Sequence, residues 1–356
     1  MHPERWEHGS DYGSIAGQTL GPSVDADHPW AEAGQTYGCG RDALCALVEH
    51  GVETRSWRRL WLPSYFCEDV VAALDSLPIE ILRFADGPWS PKPRIVREQL
   101  VTGDACLMVN FFGTRDRLGV ETEGWPPGID IVQDHTHDPW SPGAHCSRAS
   151  YAVASLRKTL PLPDGGVLWS PLGLPLPPAP QLTEAHAARA AERREGMEMK
   201  TAYLAGGDVS KDAFRARLLN SEQSFGGGQP SAMSKESRAL LDRLPIADFR
   251  RLRRENHRYL AERLTGSTTF EVFHPQSSTA QGCPLALVIL CLSEAAREDL
   301  RRRCIEARIY PAILWASPAA HDVEADVAFS SRMLALHCDM RYEREDLDRV
   351  VGALLR

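Results

Sequence analysis

Tyr151-Ala152-Val153-Ala154-Ser155-Leu156-Arg157-Lys158, continuing through Thr159-Leu-Pro-Leu-Pro-Asp164-Gly165-Gly166 into Val167-Leu168-Trp169, reads as a strand, a turn and a second strand. Both strands are apolar on both faces, the pattern of a sheet covered by helices on each side. At the turn stands Lys158, with Ser155 three residues before it. Desolvation at the end of a buried strand disfavours an ammonium and lowers its pKa. A lowered pKa is what an amine needs to attack an aldehyde, and the Ser155 hydroxyl is spaced to meet a phosphate on that aldehyde. Taken alone, the same residues read more readily as a surface lysine whose stem packs and whose head stays in water.

Working outward, short apolar runs alternate with helical periods. Helices are expected from Gly40, over Asp69–Leu77 and over Ile95–Val101, with strands at Arg59–Pro63, Ile79–Phe84, Ala105–Phe111 and Ile129–Asp134. This alternation predicts an α/β fold with a mostly parallel sheet sandwiched by helices. Beyond the proline-rich connector 174–181, helices are expected over 184–204 and 238–264, interrupted at Pro245. The last third predicts strands at Leu285–Leu292, Arg308–Leu314 and Met333–His337, with helices at Glu294–Ala307 and Arg344–Leu355. The expected organisation is an irregular N-terminal arm (1–36), a large domain (37–245) and a smaller α+β C-terminal domain (246–356).

A net charge of −8 over 356 residues argues against nucleic acid as a partner, which needs a basic face. No run of about 18 apolar residues is present, so no membrane partner is expected. Nine cysteines, an odd number without a Cys-x-x-Cys pair, fit a reducing, cytoplasmic setting. Only five lysines occur (92, 158, 200, 211 and 235), which makes the placement of Lys158 easy to test.

Two other segments carry candidate chemistry. Val132-Gln133-Asp134-His135-Thr136-His137-Asp138 closes an apolar strand. Asp134 stands where ligands bind in open α/β sheets, and a pyridinium ring needs such an anionic partner. His135 and His137 also alternate as two imidazoles on one side of a strand would, a metal-binding pattern, and the segment reads too as a polar turn. Gly38-Cys39-Gly40-Arg41-Asp42 opens a helix whose amides form an anion site or a simple cap. Arg250–Arg254 and Arg301–Arg303 read as solvated helix faces, and Arg341 as a candidate carboxylate ligand.

Taken together, the order cradle, strand-end Asp and Ser-x-x-Lys resembles fold-type I pyridoxal-phosphate enzymes, and in particular the DegT/DnrJ/StrS-type sugar aminotransferases. The resemblance runs from about residue 34 to 356. It rests on Gly40-Arg-Asp-Ala-Leu44, Leu62-Pro-Ser-Tyr-Phe-Cys67, Val109-Asn-Phe-Phe-Gly113, Val132–His137, Ser155-Leu-Arg-Lys-Thr159 and Asp164-Gly-Gly166. Ala307–Pro311, Trp315 and Arg332–Leu336 add support.

The resemblance implies pyridoxal 5′-phosphate as cofactor, held as an internal aldimine on catalytic Lys158. Asp134 would pair with the ring nitrogen and His137 would lie near the 3-oxygen. Ser155 and the amides at Gly40, Arg41 and Asp42 would hold the phosphate, and Asn110 would be a cofactor-side polar residue. It further implies a cytoplasmic homodimer, an amino-acid donor and a keto-sugar or related keto acceptor, with no metal. The family's stacking aromatic falls on Cys67, so Phe66 or Tyr65 would have to take that place, or the ring would rest against something else. Arg41 replaces the usual Thr or Ser, and the segment 185–230 departs most. Rival readings are a cofactor-dependent lyase acting by elimination, a metal-dependent hydrolase using His135 and His137, and a non-catalytic homologue.

Overall fold

In the computed structural model, residues 5–9, 11–15, 27–32, 34–115, 118, 124–226, 228–275, 282–315 and 323–356 are described. Seven strands form the main sheet: β1 (Gly34–Tyr37), β2 (Arg59–Pro63), β3 (Glu80–Phe84), β4 (Asp104–Val109), β5 (Asp130–Asp134), β6 (Tyr151–Ser155) and β7 (Gly166–Trp169). Their order is β1-β7-β6-β5-β4-β2-β3. β3, β2, β4, β5 and β6 run parallel, while β7 pairs antiparallel with β6 and β1 with β7. Every residue of β4, β6 and β7 is buried, which accounts for sequences that are apolar except at the strand ends Asp104 and Ser155.

The helices are α1 (Gly40–Arg55), α2 (Glu68–Leu74), α3 (Pro142–His145), α4 (Glu184–Leu204), α5 (Lys211–Ser224), α6 (Lys235–Leu241), α7 (Ile246–Leu264), α8 (Glu294–Glu306), α9 (Glu324–Ser330) and α10 (Arg344–Leu354). A second sheet, antiparallel and in the order β10-β9-β8, comprises β8 (Phe270–Val272), β9 (Ala286–Cys291) and β10 (Met333–His337). The main apolar core runs from Tyr37, Leu47 and Val132 across to Val288, Met333 and Ala335, so the two sheets share it. A separate core of Leu260, Leu300, Leu336 and Leu347 lies beneath α7, α8 and α10.

Two carboxylates secure the edge of the sheet where the parallel strands begin. Asp130 accepts from Arg55 Nε (3.0 Å), Arg55 Nη2 (2.9 Å) and Trp57 Nε1 (2.7 Å). Asp104 accepts from Arg59 Nε (2.7 Å), Arg59 Nη2 (2.7 Å) and Trp61 Nε1 (2.9 Å). The opposite edge, where those strands end, is left to other residues.

Besides the unexpected short elements β1, β8, α3 and α9, the architecture differs from the sequence expectation in four places. Ile95–Val101 contains only a single 3-10 turn at Arg97–Gln99, which has no buried face to stabilise a longer helix. Arg308–Leu314 is not a strand: Arg308 has φ +61°, Pro311 lacks an N–H, and only isolated bridges at Ile309 and Ala312 form. The segment read as departing from the family contains α5, which packs on α4.

The fourth difference lies in the arm read as irregular. Its residues 5–9 and 11–15 form a strap, with His8 bridging in parallel to Ile309 and donating its backbone N–H to the Arg308 carbonyl at 3.0 Å. Glu7 pairs with Lys200 at 2.9 Å and Lys211 at 2.7 Å. Arg341 pairs with Asp339 at 2.7 Å and donates to the carbonyls of Gly9 (2.7 Å) and Asp11. Arg341 is thus engaged with Asp339 and the strap. The Arg250–Arg254 run is likewise not a purely solvated face. Arg250 pairs with buried Asp138 at 2.8 Å, and buried Arg253 donates to the Thr159 carbonyl at 2.7 Å.

Candidate active site

The parallel strands deliver their carboxyl ends to one edge of the sheet, where ligands bind in open α/β folds. Lys158 follows β6 at the end of the 3-10 turn Leu156–Lys158. Asp134 closes β5, and Asn110 follows β4. A cavity of about 430 Å³ opens there. Gly40, Arg41, Phe66, Asn110, Asp134, His137, Ser155 and Lys158 all line it, whereas Asp42 does not.

The cradle comes from the close approach of three segments. A Cβ on Gly40 would lie 2.9 Å from Ser155 Cβ, and one on Gly166 only 2.3 Å from Cys39 C and O. Only glycine fits where a helix start presses on a strand in this way. Cys39 caps α1, its Sγ accepting the Asp42 N–H at 3.4 Å. The Gly165–Gly166 turn is fixed by buried Asp164, which accepts from His186 Nε2 (2.9 Å), Ser234 N (2.7 Å), Ser234 Oγ (2.6 Å) and Ser237 Oγ.

Asp134 Oδ1 accepts the Thr136 N–H at 2.8 Å, and burial pushes its carboxyl above the usual range. A buried carboxylate without a cation beside it is stabilised by any positively charged donor that enters. Asn110 Oδ1 accepts the Arg115 N–H at 2.9 Å, while its buried Nδ2 has no partner among the described residues. Arg115 is itself locked to Asp86 at 2.8 Å, a fully buried pair whose disruption costs about 3–5 kcal/mol.

His137 Nδ1 accepts the Phe112 N–H at 2.9 Å, so the neutral ring carries its proton on Nε2. Burial depresses its pKa to about 3 and keeps it neutral. The ring lies between Phe112 (interplanar 2°) and Trp315 (interplanar 23°). Phe112 reaches this position with φ +55°, an uncommon conformation that also sends its carbonyl to Leu285 N at 2.8 Å.

The geometry separates Phe66 from Tyr65 and His137 from His135 in their access to the cavity. Phe66 enters the cavity wall, beside Cys67. Tyr65 does not: its hydroxyl donates to the Leu314 carbonyl and accepts the Trp315 N–H at 3.0 Å. His135 and His137 do not share a side. β5 ends at Asp134, and His135 turns away to bond Gln133 Oε1 at 3.1 Å. Among the described residues no group of three or more His, Cys, Asp or Glu is placed to hold a metal.

The Lys158 side chain is 46% exposed to the cavity, with Nζ 3.5 Å from Glu222 Oε1. Its pKa is lowered first by the neighbouring Arg157 charge and then by burial, so desolvation is not the leading cause that the sequence implied. Glu222 also accepts a bidentate pair from Arg157 and a bond from Arg193 Nη1 at 3.3 Å. Burial alone would raise the Glu222 carboxyl, but Arg157, Lys158 and Arg193 hold it far below its usual range. Glu222, Arg193, Asp11 and Tyr12 all reach the cavity and were missed in the sequence. The only available signal was the spacing of Arg215, Leu219 and Glu222, which puts one face of α5 on the wall.

No protein-family model matches the chain, and no curated protein matches it. Solved structures share its fold. An aminotransferase, TlmJ from Streptoalloteichus hindustanus, is 15% identical over 91% of this chain and 85% of its own, with a TM-score of 0.60. The sugar aminotransferase CalS13 from Micromonospora echinospora is 13% identical over 90% and 86%, with a TM-score of 0.56. Spr1654 from Streptococcus pneumoniae, in its PMP form, is 11% identical over 90% and 85%, with a TM-score of 0.61. The chain is therefore similar in fold to these proteins along nearly its whole length.

Proposed function

We propose that the protein is a pyridoxal-phosphate-dependent aminotransferase of the DegT/DnrJ/StrS type. It would move an amino group from an amino-acid donor to a keto sugar or a related keto intermediate. The observation that carries this reading is the meeting of Lys158, Asp134 and the Gly40–Ser155 cradle at one strand-end cavity. The fold shared with proteins titled aminotransferases supports it.

The residues present fit the cofactor. The cradle admits no Cβ at Gly40 or Gly166, Asn110 Nδ2 is a buried donor with no partner among the described residues, and Asp134 is a half-buried carboxylate with no cation beside it among them. When bound, the cofactor supplies an electron sink for a bond broken at the substrate's amino-bearing carbon. Lys158 would anchor it and move a proton at that carbon, helped by the Arg157 charge that disfavours its ammonium form. Asp134 would hold the proton on the ring nitrogen, and His137 Nε2–H would face the ring oxygen. Ser155 and the first amides of α1 would bind the phosphate, and Phe66 would flank the ring.

Leu314 and Trp315 bring the C-terminal third of the chain to the cavity mouth. On this reading residues 246–356 act as the smaller domain that closes over residues 37–245. The family resemblance supports a homodimer. The nine unpaired cysteines fit a cytoplasmic setting, and among the described residues no helix is long and apolar enough to cross a membrane.

The test is an absorbance scan of the purified chain supplied with cofactor. A band at roughly 410–430 nm, lost on borohydride treatment and absent in Lys158→Ala, is expected. A protein that stays colourless overturns the reading. Loss of that band on adding glutamate, with one appearing at roughly 330 nm, separates amino transfer from elimination.

A further inference from the structure

The cavity wall around Glu222 carries more positive charge than the cofactor chemistry uses. Three guanidinium groups (Arg41, Arg157, Arg193) and the Lys158 ammonium stand within 4.0 Å of a single carboxylate, Glu222. The next anion, Asp11, reaches only Arg193, at 3.5 Å. Buried Arg157 and Arg193 each keep an Nε with no hydrogen-bond partner among the described residues. Such a surplus in a low-dielectric wall favours a second anion.

We infer that Arg157 and Arg193 form the subsite for the amino donor's α-carboxylate, and that Glu222 is an internal occupant which the donor displaces. This rests on reading the cavity as an aminotransferase site. Three observations carry it. First, Arg157 already grips Glu222 with both Nη atoms, the planar fork that matches a carboxylate. Second, Glu222 Oε1 sits 3.5 Å from Lys158 Nζ. A group there is one carbon away from the reacting amine, as an α-carboxylate is, while a phosphate has its own cradle at Gly40 and Ser155. Third, Glu222 lies in the last turn of α5 with its side chain 36% exposed, so the displaced carboxylate can turn into water.

The arrangement also answers a problem of alternating substrates. An amino acid brings a carboxylate to this wall and a sugar ring does not. With Glu222 able to return, the two arginines remain paired in both halves of the reaction, and no buried charge is left uncompensated.

The test is calorimetric titration of the cofactor-free, full-length chain with glutarate and, separately, with inorganic phosphate. Glu222→Gln is expected to bind glutarate about tenfold more tightly than the wild type, the loss of one charge-assisted competitor. Glu222→Asp, which keeps the charge but shortens its reach, should fall between them, and it preserves the ordering if the Gln variant folds poorly. The gain should vanish in Glu222→Gln/Arg193→Gln. The inference is overturned by unchanged glutarate affinity, by a gain that survives loss of Arg193, or by a gain for phosphate alone. No cofactor is present in this titration, so its failure is separate from failure of the absorbance test.

Discussion

Replacing Gly166 by Ala probes the cradle without touching any group that does chemistry. Gly166 has no positive φ, so alanine carries no backbone penalty there. The cost is purely steric: the new Cβ would lie 2.3 Å from Cys39 C and O and 2.7 Å from Gly40 N. Restoring ordinary contact requires β7 and the start of α1 to part by about 1 Å, against backbone that cannot rotate away. That movement pulls on the Gly165 N–H···O Gly38 bond (2.7 Å) and on the Tyr37–Gly166 pairing of β1 with β7. Overpacking of this kind costs about 1–3 kcal/mol, and a displacement of about 1 Å in a binding group weakens its function by up to about 100-fold. Urea unfolding should show a lower midpoint with an unchanged slope, and cofactor titration should show at least a tenfold loss of affinity. Gly352→Ala is the control, because nothing lies within 4 Å of its Cβ on exposed α10, and it should stabilise by about 0.5–1 kcal/mol. If Gly166→Ala unfolds at the wild-type midpoint and keeps its cofactor affinity, the close-approach argument is wrong.

Two further outcomes follow from buried carboxylates. Asp326 is buried on α9, and burial pushes its carboxyl from 3.8 up to about 6. Between those values the native chain holds a proton that the unfolded chain has released, so this group's contribution falls as pH rises through the window and is level above it. Asp326→Asn should therefore gain about 2–3 kcal/mol over the wild type at pH 7.5 and almost nothing near pH 4, read from denaturation midpoints. An equal difference at both pH values would refute it. Asp134→Asn removes a buried charge without a cation, so the folded chain should be no less stable. Cofactor should still bind, but turnover should fall by at least about 100-fold, and turnover within twofold of the wild type would rule out Asp134 as the ring-nitrogen partner.

The placement of Asp134, Ser155 and Lys158 was legible because each ends or follows a strand buried on both faces. In such a strand a polar residue can only stand at an end, and parallel strands bring those ends together. Arg193 and Glu222 were not legible. They sit on α4 and α5, helices of weak apolar pattern whose mutual packing decides which residues face the sheet. Asp11 and Tyr12 were hidden for a different reason. The strap has no period of its own and takes its shape from Arg341, Lys200 and Lys211, residues far away in the chain. Arg308–Leu314 misled because an apolar run can be buried as an irregular segment when a proline and a left-handed residue prevent pairing.

The strap has a consequence for how the chain is made. Gly9 N–H donates to the Tyr342 hydroxyl, a contact spanning 333 residues, and His8 Nε2 lies 2.7 Å from the His337 carbonyl, 329 residues away. Loop closure over such separations has to wait for the partners to exist. On the ribosome, residues 8 and 9 therefore cannot seat until residues 337–342 have emerged. Asp11 and Tyr12 complete the cavity wall only then, so the site of a nascent chain stays open on that side until the 337–342 stretch has been made.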